Sequence, residues 1–209
     1  MSPHLWGLFV AAVFLLSGTP GPNMLHILAR SVAVGVRRSL VAMFGTLLAL
    51  VSVLAASAAG LSTLLMTLPG AFQALRLIGV AYLVYLGVRS WRGDAVPAPD
   101  ADAPPGPGLT PAKLFAGGFM VCASNPKLLL FAAAFLPQFV DPAEPAGPQF
   151  AILVATFAAI ELFWLLVYAL CGKTLARHLG KPRLRTAFNR LTGTVFLAFG
   201  ALLLRFKPV

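Results

Sequence analysis

The sequence predicts an all-α integral membrane protein of six transmembrane helices, arranged as two inverted three-helix repeats whose first and fourth helices are broken at proline motifs. Three observations carry this. Hydrophobic residues make up 59% of the 209-residue chain and charged residues only 11%, against about a quarter charged in an ordinary soluble domain. The apolar residues run continuously instead of alternating with polar ones, which selects spanning helices over the strands of a membrane barrel. Two apolar segments are interrupted, at Thr19-Pro20-Gly21-Pro22-Asn23 and at Ser124-Asn125-Pro126-Lys127, and Pro22 and Pro126 lie 104 positions apart, half the chain.

A spanning helix needs roughly 20 mostly apolar residues. Six segments qualify: 5–29, 39–65, 70–90, 113–139, 149–171 and 189–206. No Lys or Arg precedes the first, so it lacks the basic region of a signal peptide and reads as a retained helix. Residues 93–112 hold six prolines and three aspartates, a flexible or extended linker with nothing to bury. They divide the chain into a first three-helix repeat, 1–92, and a second, 113–209. Three spans per half is odd, so the halves enter the membrane from opposite sides.

Charge sets the expected orientation. Twelve of the 16 Lys and Arg residues fall in loops one–two, three–four and five–six or their flanks. The positive-inside rule puts those loops in the cytoplasm and both termini outside. The net charge of +10 therefore reads as topology and contact with anionic lipid head groups, not as a nucleic-acid surface. Residues 173–190 read as a basic loop, either solvated or lying on anionic lipid. Cys122 and Cys171, the only cysteines, suggest neither a disulfide framework nor a metal site.

The breaks are the candidate site. Proline removes a backbone donor and clashes with the preceding turn, and in hydrocarbon each freed backbone group needs a partner from protein or from a water-lined cavity. Interrupted segments at matching places in two halves are the mark of a repeat-built transporter. Asn125 before Pro126 reads as an N-cap with proline at the first helical position, starting a helix Lys127–Phe139 inside the membrane. Thr19 or Gly21 similarly caps a half-helix starting near Pro22. Such ends carry unpaired N–H groups and a positive dipole that suit a substrate carboxylate. The expected substrate-binding residues are thus Pro20, Gly21, Pro22, Asn23, Asn125, Pro126 and Lys127. The plainer reading is a pair of kinks relieved by neighbouring helices, with both asparagines serving only the broken backbone.

Lys127 is a charge near the middle of a span, a functional position by default; it faces either Glu161 or the substrate carboxylate. Glu161 is the only carboxylate inside a predicted span. Low dielectric makes its charged form costly, so it can load and release a proton or hold a substrate ammonium; a static pair with Lys127 is the alternative. His26 reads as an interfacial residue, and Gly79 to Gly87, with Tyr82 and Tyr85, as a close-packing face. Trp6 and Trp91 read as interface anchors. No metal-ligand cluster, phosphate-binding glycine loop or nucleophile–base pair is present, so neither a cofactor nor enzyme chemistry is expected.

These residues resemble the LysE/RhtB family of bacterial amino-acid exporters, nearly end to end. The resemblance rests on Thr19-Pro20-Gly21-Pro22-Asn23-Met24 with Arg30 and Gly35, then Gly79, Tyr82-Leu83 and Tyr85-Leu86-Gly87. It continues through Gly118-Phe119, Asn125-Pro126-Lys127, Phe135-Leu136-Pro137-Gln138-Phe139 and Tyr168-Ala169-Leu170. It implies export of an amino acid or close derivative across the bacterial cytoplasmic (inner) membrane, driven by the proton or cation gradient. The partners implied are that small molecule, protons and membrane lipids; the oligomeric state stays open, a homo-oligomer included. The chain departs from the family at Gly45-Thr-Leu-Leu-Ala49-Leu-Val, where many members carry an acidic or amide group, so Glu161 would carry the coupling alone. Two other classes are weighed. A cation transporter would want several carboxylates or thiolates in its spans. A transmembrane thiol-redox protein would need a cysteine in each half, and Gly18 stands where the partner of Cys122 would be.

Overall fold

The computed structural model describes residues 1–67, 71–92, 109–141, 143–172, 174 and 181–205, and among them every regular element is helical. The first half holds α1 (Pro3–Gly18), α2 (Pro22–Val34), α3 (Val36–Thr67) and α4 (Ala71–Trp91). The second holds α5 (Pro111–Ala123), α6 (Pro126–Leu130), α7 (Ala146–Leu170) and α8 (Pro182–Arg205), with a π-helical turn at Phe131–Phe135 and a 3-10 turn at Leu136–Phe139 after α6. Most of the proline-rich linker, 93–108, lies outside the described residues, as do Lys173 and residues 175–180 of the basic loop.

Local chemistry starts these helices. Ser2 Oγ accepts from Leu5 N at 3.2 Å ahead of Pro3. Thr110 Oγ1 accepts from Lys113 N at 3.3 Å ahead of Pro111. Each pairs a capping hydroxyl with a proline whose missing N–H costs nothing in the first turn. The two proline motifs break the helices as expected: α1 and α2 are bent by 50°, and α5 and the helical stretch after Asn125 by 46°.

Three local expectations are corrected. The loop between the first two segments is nearly absent, because helix continues to Val34 and resumes at Val36 around Gly35 alone. Gly35 has φ +82°, a backbone conformation that glycine takes without penalty. The helix expected over Lys127–Phe139 is α-helical only to Leu130; Pro137 has no N–H to continue an α ladder, and a π-helical turn precedes it. The basic segment expected as a loop is helical from Pro182 onward.

Among the described residues, Val36–Gly60 and Ala146–Leu170 are each long and apolar enough to cross a membrane, and the count rises to four where each bent pair is taken as one span. In α4 the apolar stretch described is the shorter Leu77–Trp91.

The helices from the two halves interlock. α1 runs beside α7 in constant register: Trp6 Nε1 donates to Thr156 Oγ1, Trp164 Nε1 to Phe14 O and Tyr168 OH to Gly18 O, each pair 150 positions apart. The two helices are therefore parallel. α3 and α5 are also parallel, with Arg38 donating to Leu109 O at one end and Thr46 to Gly118 O further along. A Cβ at Gly45 would strike the backbone carbonyl of Phe115, and one at Gly118 that of Ala42, so both glycines are needed for this approach. α4 and α8 are antiparallel and meet at Gly87 and Gly193, where a Cβ on Gly193 would run into the Trp91 ring and the Gly87 carbonyl and one on Gly87 into the Leu197 side chain. Apolar side chains such as Phe44, Ile78, Phe163 and Leu170 face outward, the lipid-facing surface that a membrane helix bundle presents.

Candidate functional site

Breaking α1 at Thr19 strands carbonyl groups that a continuous helix would satisfy. The second half supplies most of their partners. Tyr168 donates to Gly18 O at 3.0 Å, and one turn before the break Trp164 adds a second donor to Phe14 O at 3.0 Å. Lys127 Nζ donates to Leu16 O at 3.0 Å and reaches Thr19 O at 3.4 Å and Thr19 Oγ1 at 3.5 Å. Thr19 itself turns back, its N–H to Leu15 O and its hydroxyl to Leu16 O. A cation at the carbonyl end of a helix is favoured by the dipole. Gly18 is required here, since a Cβ would lie 2.7 Å from the Trp164 ring.

α2 then begins at Pro22 with Gly21 as its N-cap. Gly21 has no side chain with which to cap, so the first amides of α2 have no side-chain partner. Lys127 occupies the space that a side chain would take: a Cβ on Gly21 would stand 3.2 Å from Lys127 Nζ. The lysine ammonium thus sits where α1 ends and α2 begins.

The second break is capped as expected, with Asn125 Oδ1 accepting from Lys127 N at 3.0 Å. The other end of that amide reaches across the halves. Asn125 Nδ2 donates to Asn23 Oδ1 at 3.0 Å, and Asn23 Nδ2 donates to Glu161 Oε1 at 3.1 Å, with Cys122 Sγ at 3.4 Å. A hydrogen-bonded chain therefore runs from the start of α6 through both asparagines to the middle of α7. Asn23, Asn125 and Glu161 are 5%, 1% and 4% exposed, so these polar groups are satisfied by one another and not by bulk water. Asn23 does not merely repair its own helix; its side chain is committed to the other half.

A small cavity adjoins this chain, with room for about one water molecule in this conformation. Asn23, Asn125, Lys127 and Glu161 line it, together with Ser17, whose buried Oγ has no hydrogen-bond partner. Lys127 and Glu161 share the cavity but make no direct ion pair, so the static pair weighed as the alternative is not formed; the lysine is held by α1 carbonyls instead. Leu50 lines the same space. It belongs to the stretch of the second segment that lacks an acidic or amide group, and it presents an apolar wall there.

Of the expected site residues, the structure brings together Gly21, Asn23, Asn125, Lys127 and Glu161. Pro20, Pro22 and Pro126 do not line the cavity; they make the breaks that expose it. His26 lies apart, next to Gly117, with its Nε2 buried and unpartnered among the described residues. Of the two residues offered as the cap of the half-helix at Pro22, Gly21 holds that place and Thr19 instead closes the end of α1; Ser17, Cys122, Trp164 and Tyr168 join the site without having been expected there. Their signal was only their place in apolar segments. Among the described residues no group of three or more His, Cys, Asp or Glu could hold a metal ion.

Residues 14–206 match the family described as LysE type translocator. The chain is 30% identical over 203 residues to an uncharacterized membrane protein of Vibrio cholerae, covering 97% of this chain and 98% of that one. It is 30% identical to the homoserine/homoserine lactone efflux protein of Salmonella typhimurium, covering 97% of each. It is 31% identical over 206 residues to the leucine efflux protein of Salmonella choleraesuis, covering 95% of this chain and 93% of that one. No solved structure matches.

Proposed function

Because the chain belongs to the LysE type translocator family over nearly its whole length, we propose that it exports an amino acid or close derivative across the bacterial cytoplasmic membrane. The observation that carries the reading is the polar chain Asn125–Asn23–Glu161, built from both broken helices and closed off from water beside Lys127. Ionisable groups buried in a membrane bundle are costly, which makes them functional positions by default. The names of the Salmonella relatives, efflux proteins for homoserine or its lactone and for leucine, support a small amino acid as cargo.

The substrate carboxylate binds between the Lys127 ammonium and the uncapped start of α2, where charge and dipole both favour an anion. It competes with the α1 carbonyls for Lys127. The substrate ammonium is held by Glu161 and the amide oxygens. Glu161 is the coupling group, the one carboxylate among the residues that line the cavity, and it carries the proton that drives export. The chain acts as two inverted repeats. The parallel pairing of α1 with α7 mirrors that of α3 with α5, and α4 pairs antiparallel with α8 as its own counterpart, which supports that symmetry. Alternating access follows as one repeat rocks against the other around the fixed polar chain.

The test is export. The protein is overproduced in a sensitive bacterial host, the host is challenged with a panel of amino acids and dipeptides, and efflux of the protective compounds is measured. Selective resistance with faster efflux of one or more amino acids is expected. An unchanged host across the whole panel would overturn the reading.

A further inference from the structure

A second cavity lies on the other side of Lys127. Leu16 and Lys127 line both spaces, but the rest of the second wall is different in kind. Gly79, Tyr82 and Leu83 come from α4, Leu130 from the end of α6, and Phe131 and Phe135 from the π-helical turn. The two phenylalanine rings have centroids 4.7 Å apart. Apart from Lys127, Tyr82 is the only one of these with a polar side-chain atom.

An α-amino acid sends its carboxylate, its ammonium and its side chain in three directions from one carbon. A site that reads all three needs polar partners for the first two and an adjoining pocket of separate character. We propose that this second cavity is the side-chain pocket and that it selects an unbranched or leucine-like aliphatic chain over polar and charged ones. The proposal rests on the amino-acid reading above and adds the cargo's class to it. With the carboxylate on Lys127, the side chain passes beside Leu16 into the space between α4 and the π-helical turn. A cationic side chain would be stripped of water with no carboxylate among the lining residues, and an anionic one would find only Lys127, which the substrate carboxylate already engages. A hydroxyl would lose its water partners in a mostly hydrocarbon wall. In this conformation the space is about that of one water molecule, so a side chain enters as α4 parts from the turn it packs against. Gly79 is the position whose missing side chain keeps this wall thin. The face from Gly79 to Gly87 is accordingly split in use, with Gly87 packing on α8 and Gly79 and Tyr82 turned to the cavity.

The test is equilibrium binding to purified protein in lipid nanodiscs, by titration calorimetry, over alanine, 2-aminobutyrate, norvaline, leucine, homoserine and lysine. Affinity should rise about fourfold for each methylene from alanine to norvaline. Norvaline should bind at least fivefold tighter than homoserine, which differs only by a hydroxyl in place of the terminal methyl, and lysine should not bind. Gly79→Leu should abolish the rise, leaving alanine within threefold of its original affinity. Leu83→Ala, which widens the same wall, should admit phenylalanine at least fivefold better than the parent does. A flat series, or homoserine equal to or tighter than norvaline, overturns the pocket while leaving amino-acid binding intact. Binding of none of the six overturns the pocket and the export reading together.

Discussion

Glu161 is the residue on which the proposed coupling depends. It is 4% exposed and accepts one hydrogen bond, from Asn23. Glu161→Gln keeps the shape and can still pair with Asn23 but cannot release a proton. It should fold normally and still exchange substrate down its own gradient. Accumulation driven by an imposed pH gradient in inverted vesicles should fall at least tenfold. Glu161→Asp should keep part of the activity, since it titrates but is one methylene shorter. Full gradient-driven uptake by the Gln variant would remove Glu161 as the coupling group. Tyr168 has the opposite character, because its hydroxyl serves only the stranded Gly18 carbonyl. Tyr168→Phe should lower thermal stability, by about 0.6 kcal/mol if it behaves as an average hydrogen bond between membrane helices. Transport should continue at the permissive temperature, and a variant that unfolds no earlier than the parent would show that Gly18 O finds another donor.

At the scale of the element, the breaks depend on proline and on the side chains that cap them from across the molecule. Pro22→Ala and Pro126→Ala restore a backbone donor at each break and favour a continuous helix. Both variants should insert and remain monodisperse, and transport should be lost, because straightening either helix pulls Asn23 and Asn125 apart. Wild-type transport by both would reduce the prolines to simple kinks. Gly118 acts differently. It allows α5 to lie on the Ala42 carbonyl of α3, and a backbone carbonyl cannot move aside as a side-chain tip can. Gly118→Leu should therefore abolish the folded protein, read as loss of the monodisperse peak in size-exclusion chromatography, while Gly7→Leu, where nothing stands within 4 Å, should leave it unchanged.

For the whole molecule the open quantity is orientation. Arg38 at the start of α3 meets Leu109 at the start of α5, and Gly172 beyond α7 abuts Ser31 near the end of α2. Three of the basic regions thus share one end of the bundle, the end that the positive-inside rule places in the cytoplasm. In a variant with Cys122 and Cys171 replaced by alanine, a single cysteine at position 145 should react with an impermeant maleimide in intact cells. One at position 100 should react only after the cells are opened. The reverse pattern would invert the molecule and, with it, the side from which substrate enters.

The membrane class, the positions of both breaks and most of the polar site residues follow from sequence alone, because each depends on local chemistry. Continuous apolar runs set the solvent, Asn125-Pro126 sets a capped helix start, and a carboxylate in hydrocarbon announces itself. Glycine at position 35 was visible too, but its replacement of a whole loop by a single residue was not, since that depends on how α2 and α3 pack. Only tertiary structure could decide the partners. Asn23 turns to Asn125 and Glu161, 102 and 138 positions away. Lys127 turns from the expected carboxylate to the carbonyls of α1, and Tyr168 becomes a cap for a helix 150 positions distant. These are long-range choices among several chemically acceptable partners. Periodicity and spacing rank residues along one helix, but they hold no information about which of two helices will lie beside it.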